Sequence, residues 1–144
     1  MKKAVFAGSF NPWHLGHQHI LEKAAKLFDH IYVVVTVNPD KEDNSNIHNN
    51  KIFIESEISN LGFQNVSVLT NEKDFTVDFA QSLGADYLVR GLRDTADFNY
   101  EQEINYINQS LNPEIQTVFF MSDLEMVDIN STLERHKRYL NKLK

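Results

Sequence analysis

Apolar residues gather in short, nearly unbroken runs at 4–7 (AVFA), 31–37 (IYVVVTV), 66–69 (VSVL), 87–89 (YLV) and 117–121 (TVFFM). Runs of this length, rich in Val, Phe and Tyr and without strict alternation, predict strands buried on both faces. Between them the apolar positions recur at helical spacing. Ile20, Leu21, Ala24, Leu27 and Phe28 do so within 15–28, and Ile54, Ile58 and Leu61 within 51–61. Val77, Ala80 and Leu83 follow within 77–83, and Tyr100, Ile104, Ile107 and Leu111 within 98–111. Each such stripe predicts a helix packed on one side. A last helix closes the chain. Strands alternating with helices require right-handed crossovers, so the expected fold is α/β, an open parallel five-stranded sheet with helices on both faces.

A sheet wound in this Rossmann-like way binds ligands beyond the carboxyl ends of its strands, where the strand order switches. That rule singles out residues 8–17, 38–50, 90–97 and 122–131. The most polar of these, 38–50 (NPDKEDNSNIHNN), reads as a mobile surface loop.

Composition narrows the picture. A chain of 144 residues predicts a single domain spanning 1–144, and 42% hydrophobic residues suffice for a core. Fourteen basic against twenty acidic residues give a net charge of −6, which argues against nucleic acid as a partner and requires any phosphate to be held locally. The absence of cysteine excludes a disulfide framework, a thiolate nucleophile and an iron–sulfur cluster. The apolar start after Lys2 and Lys3 is too short for a targeting peptide, and no run reaches the length of a membrane span. A soluble, cytoplasmic protein without a membrane partner is expected.

The first chemical constellation is GSFNPWHLGH, 8–17, leading from a strand into a helix. Gly8 allows a sharp turn, Ser9 and Asn11 offer short polar groups, and Gly16 allows close approach to the helix backbone. His14 and His17 lie three apart on the first helical turn, beside unpaired N–H groups that favour an anion. Metal ligation by the two histidines is a weaker alternative. The second is RGLRDTADFNYE, 90–101, where Arg90 and Arg93 suit bidentate phosphate recognition, or alternatively form a surface pair held by Asp94 and Asp97. The third is INST, 129–132, whose Asn130, Ser131 and Thr132 are good helix caps beside N–H groups able to hold phosphate.

The first segment resembles the HxGH motif of the nucleotidyltransferase superfamily. The string from Arg90 to Glu101 closely resembles the RGLRxxxDFxYE signature of the phosphopantetheine adenylyltransferase family. Residues 38–41 (NPDK), 76–80 (TVDFA) and 129–135 (INSTLER) resemble further segments of that family in register, so that the likeness covers about residues 3–138. It implies transfer of AMP from ATP to 4′-phosphopantetheine, giving dephospho-coenzyme A and pyrophosphate. By this resemblance His17 stabilises the transition state. ATP would contact Ser9, Phe10, His14, His17, Gly91, Leu92, Arg93, Glu101, Met126, Val127, Asp128, Ile129, Asn130, Ser131 and Thr132. The acceptor would contact Ser9, Lys41, Thr76 and Arg90. Mg²⁺ would bind through the ATP phosphates with no metal site on the protein, and the family's usual homohexamer would be the assembly.

Departures from the family pattern are Asn11 for Asp, His14 for Thr, Glu42 for Lys, Met126 for an aromatic and Asn130 for Ser, with a shorter C-terminal stretch. His14 and the INST segment also resemble nicotinate-mononucleotide adenylyltransferases, which lack the RGLR…DFxYE string. A non-catalytic nucleotide sensor of the same fold is the alternative from a different class.

Overall fold

The computed structural model describes residues 1–37, 46–122 and 131–143. Strands and helices alternate as expected: β1 (Lys3–Gly8), α1 (Leu15–Leu27), β2 (His30–Thr36), α2 (Ile47–Leu61), β3 (Val66–Asn71), α3 (Thr76–Ser82), β4 (Tyr87–Leu92), α4 (Thr95–Leu111), β5 (Gln116–Met121) and α5 (Ser131–Lys142). The strands form one parallel sheet in the order β3-β2-β1-β4-β5. The chain winds outward from β1 to β3, then crosses back to lay β4 on the free side of β1. The order therefore switches between β1 and β4, and the carboxyl ends of these two strands frame the ligand-binding crevice of such a sheet.

Successive residues of β1 point to opposite faces and so serve two cores. Ala4 and Phe6 pack with Ile20, Leu21 and Ala24 of α1 and Ile54 and Ile58 of α2. Val5 and Ala7 pack with Val34, Leu88 and, from α3, Val77 and Ala80. Both faces are thus covered, as the continuous apolar runs require. At the far end of α4, Asn112 Nδ2 donates to Gln81 Oε1 at 3.1 Å and ties that helix to the neighbourhood of α3.

Three local expectations are corrected. Burial on both faces holds for β1 and most of β2 but fails at the edges, where β5 leaves Phe119 and Met121 exposed. An edge strand has a neighbour on one side only, and the helices cover it incompletely. The helix expected from 51 begins at Ile47, inside the stretch read as a loop, because Ile47 is buried and extends the stripe of Ile54 and Ile58 by two turns. Segment 90–97 is not a loop after a strand: Arg90 and Gly91 lie within β4, paired with Phe119 and Phe120. The chain turns at Asp94, whose side chain accepts from the Asp97 N–H at 2.8 Å and caps α4.

Candidate active site

The corner between β1 and α1 is built from rings. Phe10 has φ 47°, a left-handed conformation that strains a bulky residue by about 1–3 kcal/mol. Packing holds it there, with its ring centroid 5.3 Å from that of Phe6, 5.0 Å from Trp13 and 5.0 Å from His17. The sharp turn expected at Gly8 thus falls on Phe10, and Gly8 serves another end. A β-carbon there would stand 3.1 Å from the Phe10 ring.

The start of α1 is capped by histidines where serine or threonine is usual. The Gly16 N–H donates to His14 Nδ1 and the His14 N–H donates to His17 Nδ1, each at 3.1 Å, so that the two side chains form a reciprocal capping box. Both Nδ1 atoms accept, so in the neutral rings each proton sits on Nε2. The rings stack with centroids 3.8 Å apart. Gly16 was expected to admit a ligand. A side chain there would meet His14, whose Cε1 would lie 2.9 Å from a β-carbon at that position, while the bare glycine borders the large cavity at this end of the sheet.

His17 is held neutral. Burial, chiefly among Phe6, Phe10 and Trp13, pushes its pKa down to about 4, and the nearby His14, Arg90 and Arg93 push the same way. At neutral pH it presents an Nε2–H donor and no charge.

The two arginines of the second motif have separate carboxylates. Arg90 engages Glu101 of α4, Nη2 donating to Oε1 at 2.6 Å and Nε to Oε2 at 2.9 Å, and Nη1 donates to the Ala7 carbonyl of β1 at 2.9 Å. Arg93 engages Asp97, its backbone N–H and its Nε each donating to Oδ2 at 3.0 Å. The hydrogen bond from Arg93 holds the Asp97 carboxyl below the usual carboxylate range. The alternative of a surface pair is thus realised between Arg93 and Asp97, whereas Asp94 serves as the helix cap and Arg90 turns to Glu101.

Two cavities open at this end of the sheet. One of about 590 Å³ is lined by Ser9, Phe10, His14, His17, Gly91, Arg93 and Glu101 among others. The second, about 330 Å³, reaches past Thr36 and Val37 to Thr76 of α3 and Ile104 of α4. Ala7, Gly8, Ser9, Arg90 and Tyr100 border both, so the two are adjoining compartments with a common wall. Leu92, also expected at the site, is buried at the end of β4. Lys41, Met126, Val127, Asp128, Ile129 and Asn130 lie outside the described residues. The backbone of Ser131 and Thr132 begins α5, and their side chains lie outside the description.

Sequence reasoning missed Trp13, which stacks on His17 at 5.3 Å, and Tyr100, which stands at the common wall. The one signal for Trp13 was its place as the chain's single tryptophan inside the histidine motif.

Residues 5–137 match the cytidylyltransferase-like family model. A phosphopantetheine adenylyltransferase of Chromobacterium violaceum is 40% identical over 133 residues, covering 92% of this chain and 80% of that protein. One from Mycoplasma capricolum is 40% identical over 144 residues, covering 99% of this chain and 100% of that protein. Among solved structures, a Vibrio parahaemolyticus protein provisionally described as a nicotinate-nucleotide adenylyltransferase superposes with a TM-score of 0.59 at 21% identity. It covers 94% of this chain and 86% of that one, a likeness of fold.

Proposed function

The chain belongs to the phosphopantetheine adenylyltransferase family, and we propose that it catalyses that family's reaction with one substrate in each of the two adjoining cavities. It is a nucleotidyltransferase that moves AMP from ATP to 4′-phosphopantetheine, releasing pyrophosphate. The observation that carries the two-compartment reading is the wall of Ala7, Gly8, Ser9, Arg90 and Tyr100 common to both cavities. An in-line transfer needs the attacking phosphate and the ATP α-phosphorus to meet across one such boundary.

In this reading ATP lies in the larger cavity, by His14, His17, Gly91 and Arg93, and the acceptor lies in the smaller, by Thr76, with its phosphate at Arg90. Lys41 is assigned to the acceptor and residues 126–132 to ATP by family resemblance. An oxygen of the acceptor phosphate forms a bond to the α-phosphorus while the bond from that phosphorus to the bridging oxygen of pyrophosphate breaks. The acceptor is already an anion, so no general base is needed, and the protein's part is alignment and charge stabilisation. His17 supplies a fixed, neutral N–H donor to an α-phosphate oxygen. Because its Nδ1 is occupied by the His14 N–H, the ring need not reorganise as charge develops.

Mg²⁺ is read as arriving with the nucleotide, where it neutralises charge on the phosphates. The acidic side chains lining the larger cavity, Asp97 and Glu101, are each already paired with an arginine, which supports this route. Chelation with excess EDTA is then expected to abolish turnover without shifting the melting temperature. The homohexamer usual in the family is the assembly expected, to be checked by sedimentation equilibrium, and a cytoplasmic location goes with this reading. Among the described residues no helix is long and apolar enough to cross a membrane.

The deciding assay is pyrophosphate release from ATP and Mg²⁺ with 4′-phosphopantetheine and, separately, with nicotinate mononucleotide. Release with phosphopantetheine alone is expected. Release only with the mononucleotide would overturn the substrate, and ATP binding without turnover on either would overturn catalysis in favour of a sensor.

A further inference from the structure

Arg90 borders both cavities, and its partner Glu101 lines the larger one. The geometry of the pair is over-determined. Arg90 Nε donates to both carboxylate oxygens, at 2.9 Å and 3.1 Å, and Nη2 donates to Oε1 at 2.6 Å. A further N–H, on Nη1, goes to the Ala7 carbonyl at 2.9 Å. Helix α4 and strand β1 thus clamp a side chain that starts from β4, and only the remaining N–H groups of the guanidinium are left for a ligand.

Glu101 itself is ill-suited to touch the phosphates of a nucleotide. It is 6% exposed, its oxygens accept from Arg90, and its charge has the same sign as a polyphosphate. Family resemblance alone would assign it to ATP. We propose instead that Glu101 is a positioning residue that works through Arg90, holding the guanidinium across the common wall so that it meets the acceptor phosphate in the orientation required for in-line attack. This role rests on the two-compartment reaction proposed above. An arginine fixed before the substrate arrives loses no side-chain freedom on binding, and that advantage is realised at the reacting centre.

The test is a cycle of Arg90→Gln, Glu101→Gln and the double variant, assayed by pyrophosphate release with each substrate varied in turn. Glu101→Gln is expected to lower kcat/KM for 4′-phosphopantetheine by at least about tenfold while KM for ATP stays within about threefold. The double variant is expected to fall no further than Arg90→Gln, because the two residues act as a unit. A rise in KM for ATP with the acceptor unaffected would mean direct nucleotide contact and overturn the role. Independent losses that multiply would do so too, as would a lowered melting temperature with wild-type kinetics. Should Glu101→Gln fail to fold, Glu101→Asp keeps the charge, withdraws it by one methylene, and is expected to show the same split between substrates. A wild-type protein that releases no pyrophosphate overturns the reaction and this role with it. An active wild type matched by its variants overturns the role alone.

Discussion

Two arginine–carboxylate pairs, whose arginines lie three residues apart in the chain, differ in almost everything but the charges they join. Arg90 and Glu101 join a strand to the second turn of the following helix, with side chains 30% and 7% exposed, and share more than one short hydrogen bond. Arg93 and Asp97 are an i,i+4 pair at a chain corner, 63% and 27% exposed. Solvent and salt screen the second pair, and exposed pairs of its kind contribute about 0–1 kcal/mol. The first is largely desolvated, so its formation adds little net stability, but removing one partner strands a buried charge. Identical chemistry is therefore a structural commitment at one position and an adjustable contact at the other.

The largest expected effect breaks the inner pair. Arg90→Ala leaves the Glu101 carboxylate buried alone, and urea unfolding is expected to show a loss near the lower end of the roughly 3–5 kcal/mol typical of such a break. A loss no greater than that of Arg93→Ala would erase the distinction between the pairs.

His17 lies within the field of both arginines, and its replacement tests chemistry more than folding. His17→Ala is expected to lower kcat by tenfold to a hundredfold, about 1.4–2.7 kcal/mol of transition-state stabilisation. Unchanged turnover in the pyrophosphate assay would remove it from the mechanism.

Smaller still is the pH response. The unfolded chain binds a proton at His17 below about pH 6.5, which the folded chain refuses until about pH 4. Stability contributed by the neutral ring is thus complete above 6.5 and is lost as pH falls toward 4. Urea midpoints across that range should decline less steeply for His17→Ala than for the wild type. In the same titration followed by NMR, Arg90→Gln should raise the His17 pKa more than Arg93→Gln does.

The smallest effect belongs to the outer pair. Asp97→Asn is expected to change stability by less than about 1 kcal/mol, and the difference should shrink with added salt. Because the Asp97 carboxyl is held below its ordinary range, what stability it adds is present at neutral pH and lost only as pH falls through that lowered value.

Much of this was legible in the chain itself. Continuous apolar runs can persist only in strands covered on both faces, and helical stripes between them leave the parallel α/β sheet as the economical arrangement. The motifs at 8–17 and 90–101 fall at the carboxyl ends of β1 and β4, on either side of the switch in strand order, so the sequence located the end of the sheet where the cavities open, and the family likeness named the reaction. Elements moved where burial of a side chain decided the outcome. Ile47 extended a helix into an expected loop because a pocket beside Ile54 and Ile58 was there to receive it.

Partnership was the part that only the tertiary structure decided. Spacing alone offered Asp94 and Asp97 to both arginines, yet Arg90 reached Glu101 once β4 and α4 were packed together. Gly8 and Gly16 were present for reasons their own neighbourhoods in sequence do not express, since the space above them is filled by the Phe10 and His14 rings folding back. The proton on His17 was settled by a backbone N–H and a wall of aromatic rings. Residue types and their order are local information, but burial, orientation and the protonation state they impose arise from groups brought together across the fold.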